Sequence, residues 1–252
     1  STVDFGQTVR LAGGALLRFE RAGHILGAAI ARVEWGGCRI VFSGDLGRFG
    51  DPLLPDPAQV PEADYVMIES TYGNRNHDAG DPTETLGQII EKTVLRGGTV
   101  VIPSFAVGRA QSLLYYLWRL KQMGRLGNVP IFLDSPMAID ATQLMAAHPH
   151  DHRLDADTCR QVFGIARYTD DVEASKKIST NAYPKIIISA SGMATGGRVL
   201  HHLKAFAPDA RNTIILAGFQ AAGTRGRTLA EGGRELKIHG QWIPVNAEVA
   251  QL

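Results

Sequence analysis

Apolar positions change their rhythm along the chain, and the change divides it into two parts. Up to about residue 63, short apolar or alternating runs are separated by glycine pairs, a pattern typical of β-strands joined by tight turns. The strands predicted there span residues 9–11, 15–19, 28–34 and 38–42, and a further short strand spans 65–69. The proline-rich segment 51–57 and the polar segment 71–81 are predicted to be loops.

A strand–loop–helix unit then begins with a helix at 85–95 and recurs to about residue 230. Its predicted strands are continuous apolar runs at 99–102, 129–133, 185–189 and 212–217. Each strand is followed by a loop (103–109, 134–136, 190–197 and 218–225) and by a helix. Continuous apolar strands that alternate with helices predict an α/β fold with a mainly parallel sheet flanked by helices. Such sheets bind ligands beyond the carboxyl ends of their strands, which is where these four loops are expected to lie.

Composition narrows the class of protein only slightly. The 252 residues carry a formal net charge of +1, so a nucleic-acid partner would have to be attracted by a local basic patch. The two cysteines, Cys38 and Cys159, are far apart and form no CxxC motif, which favours a reducing cytoplasm. No apolar run approaches the roughly 20 residues that span a bilayer.

His24 and Asp45 are the first candidates for chemistry. Each follows a β-like run and is flanked by glycine, in AGHILG and SGDLG. Zinc accepts imidazole nitrogen and carboxylate oxygen, so the pair predicts metal ligands, although a hydrolytic zinc site takes three or more protein ligands. A loop histidine and a turn-capping aspartate are the alternative interpretation.

The four loops contain residue types that bind phosphate. Glycine lets main-chain N–H groups approach an anion, Ser and Thr donate hydrogen bonds, and Arg adds bidentate contacts. For any single loop, ordinary turns and surface ion pairs would give the same composition. A small anion or a dinucleotide is a further alternative, but no loop reads as GxGxxG or GxxxxGK[ST], and an extended polyphosphate chain fits the spread over four loops better. The candidate substrate-binding residues are Ser104, Arg109, Ser135, Ser191, Gly192, Arg198, Gln220, Thr224 and Arg227.

One histidine-rich segment resembles a metal motif. His148, His150 and His152 alternate in HPHDH, at the end of a predicted helix and before several polar residues. Proline and the following aspartates favour a solvated loop over a metal site.

In order along nearly the whole chain, the motifs closely resemble the β-CASP branch of the metallo-β-lactamase superfamily, which contains RNA-processing nucleases. The motifs are AGHILGAA, FSGDLGR, IESTYG, VIPSFAVGRAQSLLYYL, LDSPMA, SASGMATGGRVLHHL and GFQAAGTRGRTL. The resemblance implies a partial αββα metallo-β-lactamase core at 1–85, a β-CASP cap at 86–235, and a strand returning to the core at 236–252.

The resemblance also implies roles for single residues. His24 would be a ligand of one zinc, Asp45 would bridge two zincs, and Glu69 would orient a catalytic histidine. The full-length protein would hydrolyse RNA phosphodiester bonds. A DNA-directed nuclease, a non-catalytic RNA-binding paralogue and a small-molecule hydrolase are the alternatives, and the cap at 86–235 argues against the last.

The chain departs from the family pattern in what it lacks. It has no HxHxDH motif, and the two late histidine motifs of the β-CASP signature are absent. We therefore expect an internal fragment that holds zinc incompletely and is inactive alone. Its unpaired strand edges favour a homodimer.

Overall fold

The computed structural model describes residues 2–74, 76 and 80–252 of the chain, which form two compact units. The first unit contains residues up to 78 together with His148–Asp155, and the second contains Ala79–Ala147 and Ala156–Leu252. No helix among the described residues is long and apolar enough to cross a membrane.

The first unit is built on one five-stranded sheet. Its strands are β1 (Thr8–Arg10), β2 (Leu16–Arg21), β3 (Ala29–Trp35), β4 (Cys38–Phe42) and β5 (Tyr65–Met67). They lie in sequence order and pair antiparallel, except that β5 runs parallel to β4. All five strands were predicted from the apolar pattern, with ends displaced by at most two residues. Ala22, Ile30 and Val41 form the small buried cluster of this unit.

The second unit is an α/β layer structure, which confirms the predicted fold class. Its first half contains α1 (Pro82–Leu95), β6 (Val100–Pro103), α2 (Arg109–Gln122), β7 (Ile131–Leu133), α3 (Pro136–Ala147), α4 (Ala156–Phe163) and β8 (Arg167–Tyr168). Its second half contains α5 (Val172–Thr180), β9 (Ile186–Ser189), α6 (Val199–Phe206), β10 (Thr213–Leu216), α7 (Arg225–Ala230), β11 (Glu235–Ile238), β12 (Gln241–Pro244) and β13 (Glu248–Gln251).

Six strands form the sheet of this unit in the order β13-β10-β6-β9-β7-β8, and every pairing is parallel. Alternation along the strands sends successive side chains to opposite faces. Val101, Ile187 and Ile214 lie in one buried cluster with α6, and their neighbours Val100 and Ile186 are also fully buried. Both faces are therefore covered, as continuous apolar runs predict.

The end of the chain differs from the expectation that residues 236–252 return to the first unit. Strands β11 and β12 form an antiparallel hairpin, and β13 pairs in parallel with β10 from Thr213↔Glu248 to Leu216↔Gln251. Strand β13 pairs the main-chain groups along the edge of β10, which would otherwise lack hydrogen bonds. Its Val249 packs against the buried cluster that contains Val101 and Ile214. Both β13 and the hairpin thus belong to the second unit.

Candidate metal-ligand loops and nucleic-acid interface

Three loops of the first unit lie at one edge of its sheet. His24 lies between β2 and β3, Asp45 follows β4, and Glu69 follows β5. Because β2 and β4 both run antiparallel to β3, their carboxyl ends lie at the same edge of the sheet. Strand β5 runs parallel to β4, so its carboxyl end lies at that edge as well. The structure thus places the two candidate metal ligands, His24 and Asp45, at the same sheet edge as Glu69, for which the resemblance implies a role in orienting a catalytic histidine.

The loops of His24 and Asp45 are joined through their main chains. The N–H group of Gly47 donates to the carbonyl of Ala22 at 2.8 Å. A Cβ on Gly47 would lie 1.9 Å from the oxygen of Gly23 and 2.8 Å from the nitrogen of His24, so only glycine fits there. The glycines that flank both motifs therefore permit the close approach of the two loops.

Ser43 connects the Asp45 loop to Glu69, a role that the sequence did not reveal. It is buried, and its Oγ accepts a hydrogen bond from the N–H group of Glu69 at 3.0 Å. Its own N–H group donates to the carbonyl of Met67 at 2.9 Å. The serine of the FSGD motif thereby fixes the start of the loop that carries Glu69.

Glu69 is held as a carboxylate. The N–H group of Thr71 donates to Glu69 Oε2 at 2.9 Å and is the largest cause of a pKa below the usual value for this carboxyl. The Leu46 N–H group and the nearby His24 imidazole also lower this pKa. Together with Thr71 they outweigh burial, which acts to raise it. His24 and Glu69 are therefore electrostatic neighbours.

The donors present do not make a complete metal centre. His24 and Asp45 are both exposed. Among residues 2–74, 76 and 80–252, no group of three or more His, Cys, Asp or Glu side chains is placed to hold a metal ion. A zinc site needs three or four protein ligands, so these two residues alone do not fit one.

The HPHDH segment is not a metal site within the described part of the chain. It belongs to the first unit, where Arg21 forms an ion pair with Asp151 and the Arg153 N–H group donates to the carbonyl of Leu53 at 2.7 Å. His152 is buried, and its Nδ1 accepts a hydrogen bond from the Leu154 N–H group. Residues 148–150 are exposed and lie outside helices and strands, as the sequence predicted, whereas His152 packs into its own unit.

In the second unit, four loops leave the carboxyl ends of β6, β7, β9 and β10 at one sheet edge, as predicted. Several candidate side chains in these loops are buried and shape the loops themselves. Ser104 Oγ donates to the carbonyl of Phe105, and Ser135 Oγ accepts from the N–H group of Ala138 at the start of α3. Both serines are almost fully buried.

The third loop folds around Ser191. Its Oγ accepts hydrogen bonds from the N–H groups of Thr195 at 3.0 Å and Gly196 at 3.3 Å. Gly192 is buried, and a Cβ on it would lie 2.8 Å from the nitrogen of Phe105 in the first loop. A glycine is required here because two loops touch.

Gln220 joins the third and fourth loops. Its Nε2 donates to the carbonyls of Gly192 and Gly218, both at 3.1 Å. Its buried Oε1 accepts no hydrogen bond from the described residues. Thr224 caps α7, because its Oγ1 accepts from the N–H group of Arg227 at 3.1 Å. These two residues organise the loops rather than extend from them.

The three arginines predicted to bind phosphate differ in the hydrogen bonds and ion pairs that their guanidinium groups form within the protein. Arg198 Nη1 donates to buried Asp134 Oδ1 at 2.8 Å, and its other contacts are loop carbonyls. The guanidinium of exposed Arg227 pairs with Glu231 one turn along α7. The geometry thus does not favour phosphate binding by Arg198, and it makes Arg227 a weaker candidate.

Arg109 is different. It is exposed at the start of α2, and its guanidinium forms no hydrogen bond or ion pair with another described residue. A Cβ on Gly218 would lie 3.9 Å from both Arg109 Nε and the ring of Phe105, which is 41% exposed. An available cation and an exposed aromatic ring therefore lie side by side where the first and fourth loops meet.

Burial of Asp134 was not foreseen. Its carboxylate also accepts a hydrogen bond from Ser175 Oγ and contacts His202 Nε2, each at 2.6 Å. The other ring nitrogen of His202, Nδ1, contacts Ser179 Oγ at 3.0 Å. Burial would raise the pKa of Asp134, but these hydrogen bonds and that of Arg198 outweigh it and keep the pKa below its usual value. The network ties α5 and α6 to the second loop.

The fold and the four polar loops define an α/β domain of the class that binds ligands beyond the carboxyl ends of a parallel sheet. Residues 110–229 match the family model of the Beta-Casp domain. The chain contains a Beta-Casp domain, and its resemblance to the β-CASP family is confirmed.

Three relatives extend this similarity over most of the chain. It is 36% identical to ribonuclease TTHA0252 of Thermus thermophilus over an alignment 260 positions long. This alignment covers 99% of this chain and 59% of the relative. Identity is also 36% to transcription termination factor FttA of Methanosarcina mazei, covering 98% of this chain and 41% of that protein. The RNase J-like protein of Methanocaldococcus jannaschii is 36% identical, with coverages of 93% and 56%. The chain spans between 41% and 59% of the length of these relatives.

Proposed function

We propose that this chain is part of a metal-dependent ribonuclease that hydrolyses RNA phosphodiester bonds in RNA processing or degradation. The proposal is supported by the Beta-Casp domain and by the two relatives that are named as ribonucleases or RNase J-like. In it, the loops of the second unit hold the RNA, and the loops around His24, Asp45 and Glu69 belong to the hydrolytic centre.

One observation carries the RNA-binding part of the proposal. Arg109 lies with no ion-pair partner among the described residues, beside exposed Phe105 and half-buried Gly218. A guanidinium donates bidentate hydrogen bonds to phosphate, and an aromatic ring offers a face to a base. Gly218 carries no side chain that would cover either group.

Zinc is the metal we propose, with His24 and Asp45 as two of the ligands in the full-length protein. Imidazole and carboxylate are zinc ligands, but the donors among residues 2–74, 76 and 80–252 do not complete a site. The remaining ligands are therefore proposed to come from outside these 252 residues. Glu69, held as an anion beside His24, is proposed to position a catalytic group there.

We also propose a domain assignment, a location and an oligomeric state. We assign residues 1–85, together with His148–Asp155, to part of a metallo-β-lactamase core and the rest of 86–235 to the cap. Two cysteines without a disulfide fit a cytoplasmic protein. Strand β5 is an edge strand with Tyr65 and Met67 about two-thirds exposed, a surface that fits a homodimer.

Binding of single-stranded RNA by this chain tests the proposal. We expect Arg109→Ala to weaken binding by about tenfold, as expected for loss of one charge-assisted phosphate contact. The slope of log K against log salt should fall by about 0.7, the value for one phosphate on a single strand. Lys121→Ala is the matched control, because Lys121 is exposed at the opposite end of the same helix. Equal losses in both variants would overturn the assignment of Arg109.

Cleavage by the full-length protein tests the enzymatic part. Asp45→Asn is expected to abolish cleavage and leave RNA affinity within about twofold. Competition between single-stranded RNA and DNA of one sequence decides between a ribonuclease and a DNA-directed nuclease. If the unsubstituted full-length protein binds RNA and does not cleave it, the result would instead indicate a non-catalytic RNA-binding paralogue.

A further inference from the structure

An open pocket of about 530 Å³ lies beside the β11–β12 hairpin in the second unit. We call it the hairpin pocket, and the lining residues used below are Thr195, Thr224, Arg225, Glu235, Lys237 and Trp242. Its volume lies in the range of about 300–1,000 Å³ that small-ligand sites occupy. No sequence motif pointed to it.

The hairpin exposes one large aromatic side chain. Leu236, Ile238 and Ile243 alternate inward and are buried in the core cluster. Trp242 faces outward and is 64% exposed. Lys237 lies directly across from it in the strand register, with its Nζ 6.0 Å from the indole centroid. A tryptophan face and a cation therefore occupy the outer side of a hairpin whose inner side is fixed by packing.

Arg225 makes the pocket rigid. Its Nε donates to the carbonyl of Lys237 at 2.6 Å, and its Nη1 donates to the carbonyls of Ala194 and Thr195 at 3.1 and 3.3 Å. These bonds join the hairpin to the third loop. The guanidinium thus lines the pocket while holding its two walls together.

We infer that the hairpin pocket is a nucleobase-stacking subsite for single-stranded RNA, with the base on the indole of Trp242. Exposed aromatic faces bind unstacked bases, and nearby cations attract the adjoining phosphates. Thr195 and Thr224 belong to the third and fourth loops, so a strand held at those loops continues into the pocket. The inference rests on the proposed RNA substrate and adds a contact outside the metal-ligand loops.

A cross-strand Lys–Trp pair could instead serve only to stabilise the hairpin. The two roles differ in what they change. Trp242→Phe keeps an aromatic face, whereas Trp242→Ala removes it. A purely structural role would change the free energy of unfolding but would not change RNA affinity in variants that remain folded.

The test is titration of this chain with a 12-nucleotide single-stranded RNA. Loss of one stacked base costs about 1–3 kcal/mol, so Trp242→Ala should raise Kd by about 5- to 150-fold. Trp242→Phe should raise it by less than about threefold. Trp35→Ala is the control, because Trp35 is 66% exposed in the other unit. RNA should also quench tryptophan fluorescence, and this quenching should be lost in Trp242→Phe and retained in Trp35→Phe.

Two outcomes would overturn the subsite. One is a Trp242→Ala variant that binds RNA as tightly as the parent, and the other is a parent chain that binds no RNA. The first outcome rejects the subsite alone and leaves the proposed function untouched. The second also rejects RNA binding by the loops of the second unit, while the enzymatic part of the proposed function is decided separately by RNA cleavage by the full-length protein. Conversely, absence of cleavage by the full-length protein, combined with weaker RNA binding by Trp242→Ala, would retain the subsite and reject the nuclease.

Discussion

The carbonyl oxygen of Gly23 lies 1.9 Å from the position that a Cβ on Gly47 would occupy. The N–H group of Gly47 also donates a hydrogen bond to the carbonyl of Ala22, in the same segment as Gly23. Two segments separated by more than 20 residues are thereby fixed against each other, next to His24 and Asp45.

Gly47→Ala is expected to separate these two loops. The added methyl group meets main-chain atoms that cannot move aside as a side chain would, and overpacking of this kind costs about 1–3 kcal/mol. Chemical denaturation of this chain would measure the loss. Gly196→Ala is the control, because nothing lies within 4 Å of a Cβ there. Equal stability of the two variants would show that the loops are not packed as described.

Asp134 is expected to be the most sensitive buried charge of the second unit. Asp134→Ala leaves buried His202 and the Arg198 guanidinium without their carboxylate, and removal of one partner of a buried ion pair costs about 3–5 kcal/mol. Asp140→Ala, at an exposed position on α3, should change the unfolding free energy by less than about 0.5 kcal/mol. A loss below about 1 kcal/mol in Asp134→Ala would contradict the network.

Much of this fold was predictable because its strands are short continuous apolar runs bounded by glycine or polar residues. Strands β6, β9 and β10 are buried at every position, and such runs identify themselves in sequence. The loops of His24 and Asp45 were predictable for a related reason, since glycine marks where the main chain turns tightly.

Other features depend on contacts between distant residues. Helix α5 was missed because only Ser175 and Ile178 of its nine residues are buried, too few for a visible apolar face. The role of Arg198 depends on Asp134, 64 positions earlier, so sequence could not separate an internal ion pair from a phosphate contact. The β11–β12 hairpin did leave a signal in its alternating apolar residues and its His239-Gly240 turn.

Lys185 is expected to make stability depend on pH in the alkaline range. Its side chain is fully buried, and burial lowers its pKa to about 8. An unfolded lysine has a pKa of about 10.4, so between these values the unfolded chain binds more protons than the folded one. Stability should therefore rise with pH across this window, by on the order of 2–3 kcal/mol.

Comparison with Lys185→Met isolates this contribution. The variant should lose the rise between about pH 8 and 10, whereas Lys177→Met, at an exposed position on α5, should keep it. Below pH 8 the parent lysine is charged and donates to the carbonyl of Ile178 at 3.0 Å, near the end of that helix. Parallel pH profiles for the parent and Lys185→Met would contradict the shifted pKa.

Zinc content tests the incomplete donor set of the first unit. With two exposed candidate ligands, and no third placed beside them among the described residues, this chain should retain well under one zinc per molecule after dialysis. EDTA should leave its thermal midpoint unchanged, because a tightly bound metal would stabilise the folded state by mass action. His24→Ala and Asp45→Ala should then match the parent in both measurements. Near-stoichiometric zinc that is lost in these two variants would instead show that the chain completes a site by itself.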